Sequence, residues 1–184
     1  MICRAEPELQ AGGATLQIAL TVEGNDGVLT QGAVTDCVVE LFDPQGRPAA
    51  GITLPVTAMG TVCGALALQQ AQLWRPRGMG EQALYTLVVS LRQGAQLLAE
   101  RRQRIGLRRL RLLQQPVAGE PGSSFHFEVN GREFFAGGAN WIPDDSLLER
   151  ISPARYRQRV AQAAEANMIM LRVWGGGVYE HEAF

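Results

Sequence analysis

The stretch LQIALTV, Leu16–Val22, decides how the first half of the chain folds. Leu16, Ile18, Leu20 and Val22 alternate with Gln17, Ala19 and Thr21. That period of two puts the apolar side chains on one face of an extended strand and leaves the other face to solvent. Working outward, Gly24-Asn25-Asp26-Gly27 reads as a turn. Cys37–Phe42 is a second strand, closed by Asp43-Pro44-Gln45-Gly46, where proline presets the backbone of the second turn position. Gly51–Ala58 and Val62–Gln69 read as two further strands, and Leu84–Leu91, rich in Val with Tyr and Thr, as another. Gln96–Ile105 and Arg108–Leu113 complete the set; Ala and Arg blur the alternation there, and a helix over Gln96–Leu113 is the rival reading. About seven short strands with turns between them, over roughly 100 residues, predict an all-β immunoglobulin-like sandwich. It would occupy residues 14–113, after a lead-in over 1–13.

Gln114–Ser124, QQPVAGEPGSS, has the composition of an inter-domain linker. Beyond it the pattern changes. Phe125, Phe127 and Val129 alternate, and Asn130-Gly131 is a strong hairpin signal. Glu133–Ala139 returns as a strand, and Ile142–Ser146 follows as a loop. Ser152-Pro153 opens a helix, with serine as N-cap and proline at the first helical position, where its missing N–H costs nothing. Tyr156, Val160, Ala163, Ala164 and Asn167 share one helical face, and Asn167 suits a left-handed helix end. Met168–Val173 is an apolar run broken only by Arg172, as in a strand buried on both faces; Gly175-Gly176-Gly177 ends it. This is one β-α-β unit. Residues 125–184 alone cannot close a sheet, so they read as the opening of a larger α/β domain.

The chain has 184 residues and a net charge of −1 from 17 basic and 18 acidic side chains, which argues against nucleic-acid or anionic-membrane binding. Every basic residue is arginine, so lysine Schiff-base and P-loop chemistry are excluded. Cys3, Cys37 and Cys63 form no CxxC pair, which excludes a zinc or dithiol motif and suits reduced thiols. Met1–Gln10 carries Arg4, Glu6, Pro7 and Glu8 and has no apolar core of a leader peptide. No run of 18 apolar residues occurs. The expectation is a cytoplasmic chain without a membrane segment. His126 and His181 leave little material for a Ser-His-Asp device. No metal and no organic cofactor is expected.

Two clusters carry the chemistry: Gly138–Asp145 (GANWIPDD) and Asn167–Glu180 (NMIMLRVWGGGVYE). Each sets polar and aromatic side chains just past the end of a strand, the rim where barrel enzymes build their sites. Aromatic faces can stack on sugar C–H groups, and Asn, Asp and Arg can bind hydroxyls. These runs, with Leu73–Leu87 (LWRPRGMGEQALYTL), closely resemble the β-mannosidases of glycoside hydrolase family 2.

The resemblance implies a jelly-roll domain, then the sandwich, then a (β/α)8 TIM barrel of which 125–184 is the start. It implies retaining hydrolysis of terminal β-D-mannose from oligosaccharides by two glutamates roughly 5–5.5 Å apart. The family carries both glutamates on later strands, so no catalytic residue is assigned here and the chain by itself is expected to be inactive. The expected partners are a β-mannoside oligosaccharide, the rest of the barrel and the jelly roll. Arg172 would sit beside the nucleophile and keep it ionised, or else form a buried ion pair between strands. Trp174 would wall the subsite of the non-reducing mannose, or else be a core tryptophan. Asn140, Trp141, Asp144 and Tyr179 are weaker candidates; Trp141 could equally close a loop and Asp144 cap one. Glu180 and Glu182 read as solvated residues in the first turn of a helix. Trp74 reads as domain packing, His126 as exposed, and Arg101, Arg102, Arg104, Arg108, Arg109 and Arg111 as a solvated face or one docked on an acidic neighbour. The alternatives are a non-catalytic carbohydrate- or protein-binding sandwich with a vestigial tail, or another family 2 exo-glycosidase such as a glucosaminidase or galactosidase.

Overall fold

The computed structural model describes residues 2–10, 12–22, 36–181 and 183–184; the turn read at Gly24–Gly27 and Glu182 lie outside them. Two compact units emerge: Met1–Arg75 with Glu81–Arg109, and Pro76–Gly80 with Leu110–Phe184.

The first unit is an all-β sandwich. Strands β1 (Ile2–Gln10), β2 (Gly13–Thr21) and β5 (Thr61–Leu68) form one antiparallel sheet in the order β1-β2-β5. Strands β3 (Asp36–Phe42), β4 (Pro48–Pro55), β6 (Tyr85–Gln93) and β7 (Gln96–Ile105) form the other, in the order β4-β3-β6-β7. The alternation read in Leu16–Val22 faces inward as expected. Leu16, Ile18, Leu20, Val62 and Leu66 meet Cys37, Val39, Leu41, Leu87 and Val89 in one core. Each fully buried aliphatic side chain there contributes about 1.5–3 kcal/mol. Tyr85 is buried too, and its hydroxyl accepts from the Gln72 backbone N–H at 2.9 Å, which satisfies the polar end of the ring.

Three sequence readings change here. The lead-in over 1–13 is not a separate element: residues 2–10 pair with β2 along the whole strand. The signal was weak because Glu6 and Glu8 face solvent while Ala5 and Leu9 pack on the core, and Pro7 is tolerated because β1 lies at the edge of its sheet among the described residues. The helical alternative for Gln96–Leu113 fails, since β7 is a strand throughout Gln96–Ile105. The last expected sandwich strand leaves the sandwich: β8 (Leu110–Leu113) pairs instead with β9 (His126–Val129) in the second unit. Trp74 does pack, with its backbone N–H on Leu107 O at 2.9 Å and the Arg108 guanidinium 4.7 Å above its ring.

In the second unit, β8, β9 and β10 (Arg132–Phe134) form an antiparallel sheet. The proposed linker Gln114–Ser124 closes the β8–β9 hairpin; Ser124 N–H donates to Gln115 O at 2.8 Å, and Pro116 bridges Ser123. Its Pro, Gly and Ser content is that of a tight connection, with Gly119 and Gly122 at positive φ. Asn130 and Gly131, at φ 53° and 79°, make the expected hairpin turn between β9 and β10. The strand read over Glu133–Ala139 is two strands in two sheets. After Phe134 the chain leaves β9, Gly137 O accepts from Ile169 N at 2.8 Å, and β11 (Gly138–Trp141) pairs in parallel with β12 (Met170–Val173). Gly138 permits this approach, because a Cβ there would overlap the Met170 carbonyl oxygen.

Between β11 and β12 lie a 3₁₀ turn (Leu148–Arg150) and α1 (Pro153–Glu165). Ser152 caps α1, its hydroxyl accepting from Arg155 N–H at 3.3 Å. Asn167, at φ 60°, ends it: Asn167 N donates to Ala164 O and Met168 N to Ala163 O, both at 3.0 Å, a Schellman closure. The strand expected to be buried on both faces is not: Met170 and Leu171 are half-buried, Arg172 and Val173 exposed. β11 is its one sheet neighbour among the described residues. A closed barrel is therefore not supported by these elements; the described residues are mostly β with one short α-helix. Among them no helix is long and apolar enough to cross a membrane.

Candidate functional site

The ends of β11 and β12 bring the two sequence clusters together. Trp174 N–H donates to Trp141 O at 2.8 Å, extending the parallel ladder by one bond. The chain then turns back, with Gly177 N–H on Trp174 O at 3.0 Å. The three glycines are not equivalent. A Cβ at Gly176 would lie 2.6 Å from the Trp174 ring, and one at Gly177 would lie 3.2 Å from Trp174 O and 3.4 Å from Pro143, whereas Gly175 has open space. The outer edge of the Trp174 indole thus lies against Gly176 of its own loop. Nearly half of Trp174 is exposed.

Beyond the glycines, Glu180 returns to the strand ends. Its Oε1 accepts from Trp141 Nε1 and its Oε2 from the Tyr156 hydroxyl, both at 2.6 Å. Glu180 is half-buried and outside any helix, which corrects the reading of a solvated first-turn residue. Trp141, Tyr156 and Phe184 pack together in tilted and edge-on arrangements, with Phe184 4.8 Å from Trp141 and 5.7 Å from Tyr156, and Ile151 shares the small core of Trp141 and Tyr156. The Glu180 hydrogen bond, burial and the Glu180 charge together raise the Tyr156 pKa above its ordinary value. Trp141 therefore closes a loop here: it is buried and its one polar hydrogen is already used.

Asp144 is likewise committed. Arg155 Nε donates to its Oδ2, Arg159 Nε donates to Oδ1 at 2.9 Å, and Arg155 Nη2 reaches the Asp144 carbonyl at 3.0 Å. The Arg155 hydrogen bond, supported by both guanidinium charges, holds this carboxyl below the usual range despite burial. The Asx turn expected of Asp144 is made by Asp145, whose Oδ1 accepts from Leu147 N–H at 2.9 Å. Asn140 and Arg172 are register partners, with Arg172 Nη1 3.2 Å from Asn140 Oδ1. Arg172 is exposed, so the buried ion pair is not what this structure shows. Tyr179 is fully exposed. Away from this rim, His126 is half-buried rather than exposed, its Nε2 2.9 Å from Glu133 Oε2, and Arg102 pairs with Glu100.

A cavity of about 470 Å³ opens over the second strand end, lined by Val173, Trp174, Tyr179, Glu180, His181 and Phe184. Aromatic faces beside polar acceptors can hold a ring that has both C–H faces and hydroxyls. Among the described residues no three His, Cys, Asp or Glu converge as around a metal ion.

Residues 3–108 match the model of glycosyl hydrolases family 2. The chain belongs to that family. Beta-mannosidase B of Thermothelomyces thermophilus is 43% identical over 125 residues, and its counterpart in Emericella nidulans 43% over 117. These alignments cover 68% and 64% of this chain but 15% and 14% of those enzymes. The beta-D-mannosidase of Dictyoglomus thermophilum superposes with a TM-score of 0.85 at 35% identity, over 99% of this chain and 22% of that one. A β-glucuronidase from Ruminococcus gnavus, 19% identical with a TM-score of 0.72 over 98% of this chain and 26% of that one, shares the fold. The family 2 chain thus spans about a seventh to a quarter of these relatives. Sequence reasoning misread Glu180 as a solvated residue, placed Tyr156 only on a helix face, and gave Phe184 no role. The available signal was Tyr156: a tyrosine on an apolar helix face needs a partner for its hydroxyl.

Proposed function

We propose that this chain is the sandwich and the opening β-α-β unit of the catalytic barrel of a retaining exo-β-mannosidase. The parallel β11–β12 pair, ending in Asn140-Trp141 and Arg172-Val173-Trp174, carries the reading. A parallel pair with a crossover helix, polar side chains at its C-terminal ends and a glycine loop is how a barrel enzyme starts its rim. A sandwich used only for binding has no need of it. The 43% and 35% identities to named mannosidases favour mannose over galactose, glucosamine or glucuronate.

In the whole protein, one glutamic acid protonates the leaving oxygen and a second attacks the anomeric carbon, giving a glycosyl-enzyme that water hydrolyses. Both act from outside this chain. Arg172 stands beside the nucleophile and lowers its pKa by charge proximity. Asn140, hydrogen-bonded to Arg172, holds the guanidinium in place. Trp174 stacks on the terminal sugar. Trp141 and Asp144 support these groups rather than touch sugar, because their polar atoms are already bonded, and Tyr179 lies at the outer rim. The jelly roll and the remaining barrel strands are the partners this unit needs.

The test is a panel of aryl β-glycosides offered to the full-length protein. Release from the β-mannoside at least about tenfold faster in kcat/KM than from the β-galactoside, β-glucosaminide and β-glucuronide supports the reading. Faster release from any of the other three overturns it. The 184-residue chain alone is expected to release nothing above a buffer blank.

A further inference from the structure

We propose that Glu180 is a positioning residue that sets Trp174 as a wall of the sugar site; this rests on the reading in the preceding section. The loop from Trp174 to Glu180 is tied to a single residue at both ends. Trp174 N–H holds Trp141 O, and the Glu180 carboxylate holds Trp141 Nε1. Glu180 also takes the Tyr156 hydroxyl, so one carboxylate joins the end of β11, α1 and the segment after β12. Two hydrogen bonds to one carboxylate, each at 2.6 Å, are of the strong, charge-assisted kind.

Nothing else in the loop supplies such an anchor by side chain. Gly175, Gly176 and Gly177 bring none, and Val178 and Tyr179 are exposed. The path of the loop and the orientation of Trp174 are also coupled. The ring rests on Gly176, where even a methyl group would lie 2.6 Å from it. A loop that drifts from Trp141 carries the seat of the ring away with it. Glu180 and Trp174 line the same cavity, so the clamp acts at the wall and not at a distance.

The test compares full-length wild type with E180A and E180Q by two readouts: steady-state hydrolysis of an aryl β-mannoside, and amide hydrogen exchange of peptides covering residues 174–181. With E180A, exchange in that segment rises about tenfold while β11 and α1 keep their protection. KM rises about tenfold with a smaller change in kcat, as expected when a preset binding wall is lost. E180Q retains one acceptor and falls between wild type and E180A. Unchanged exchange, equal loosening of β11 and α1, or a loosened loop with unchanged KM overturns the proposal. A wild-type protein that leaves the mannoside intact sinks the mannosidase reading instead, and exchange still decides whether Glu180 holds the loop. If E180A is insoluble, E180Q carries both measurements.

Discussion

Asn140 and Arg172 stand opposite each other across the β11–β12 pair, and their side chains meet at 3.2 Å on the exposed end of that pair. An arginine held by a neutral amide keeps its full charge available to a carboxylate. Arg172→Ala in the full-length protein is therefore expected to lower kcat/KM for an aryl β-mannoside by about 100-fold. If its role is in the chemistry, the melting temperature should stay within a few degrees. Unfolding at an unchanged intrinsic activity would place Arg172 in the scaffold.

Gly106 tests the sandwich independently of any chemistry. A Cβ there would lie 2.9 Å from Cβ and Cγ of Trp74, which is itself held by Leu107 O and covered by Arg108. Gly106→Ala should cost about 1–3 kcal/mol, the usual range for overpacking. Urea denaturation of the full-length protein measures it, and an unchanged midpoint would contradict the Trp74 geometry.

Ser152 caps α1 through its hydroxyl. Ser152→Ala removes the acceptor for Arg155 N–H and should cost about 1 kcal/mol, with Ser152→Gly costing less. Faster amide exchange confined to the first turn of α1 is the expected signature.

Stability should also depend on pH at both ends of the scale. The folded-state pKa of Asp144 is depressed by Arg155 and Arg159, so its contribution is present above the unfolded value near 4 and fades as pH falls through the lower folded value. The folded-state pKa of Tyr156 is raised by Glu180, so its contribution is present below the unfolded value near 10 and fades as pH rises through the folded one. D144N should flatten the acid limb of a melting-temperature profile, and Y156F the alkaline limb. Identical limbs in wild type and variants would refute the assignment.

The readings that held rest on local rules. Leu16, Ile18 and Leu20 face the core because a half-buried strand has period two. Ser152 and Asn167 mark the helix ends because each answers an unpaired backbone group in its own neighbourhood. What could not be read depends on distant partners. Glu6 and Glu8 hide an edge strand whose pairing is supplied by β2. Phe135 to Gly137 breaks a continuous apolar pattern because Gly137 O is claimed by Ile169, 32 positions on in the chain. Glu180 finds Trp141 and Tyr156 across separations of 39 and 24 residues, which no local pattern encodes.

The measurement that bears most directly on the central claim is the anomeric outcome. Proton NMR during early hydrolysis of an aryl β-mannoside by the full-length protein should show β-mannose first, with α-mannose appearing only by mutarotation, as a two-glutamate retaining mechanism requires. First release of α-mannose, or no release, would contradict the account.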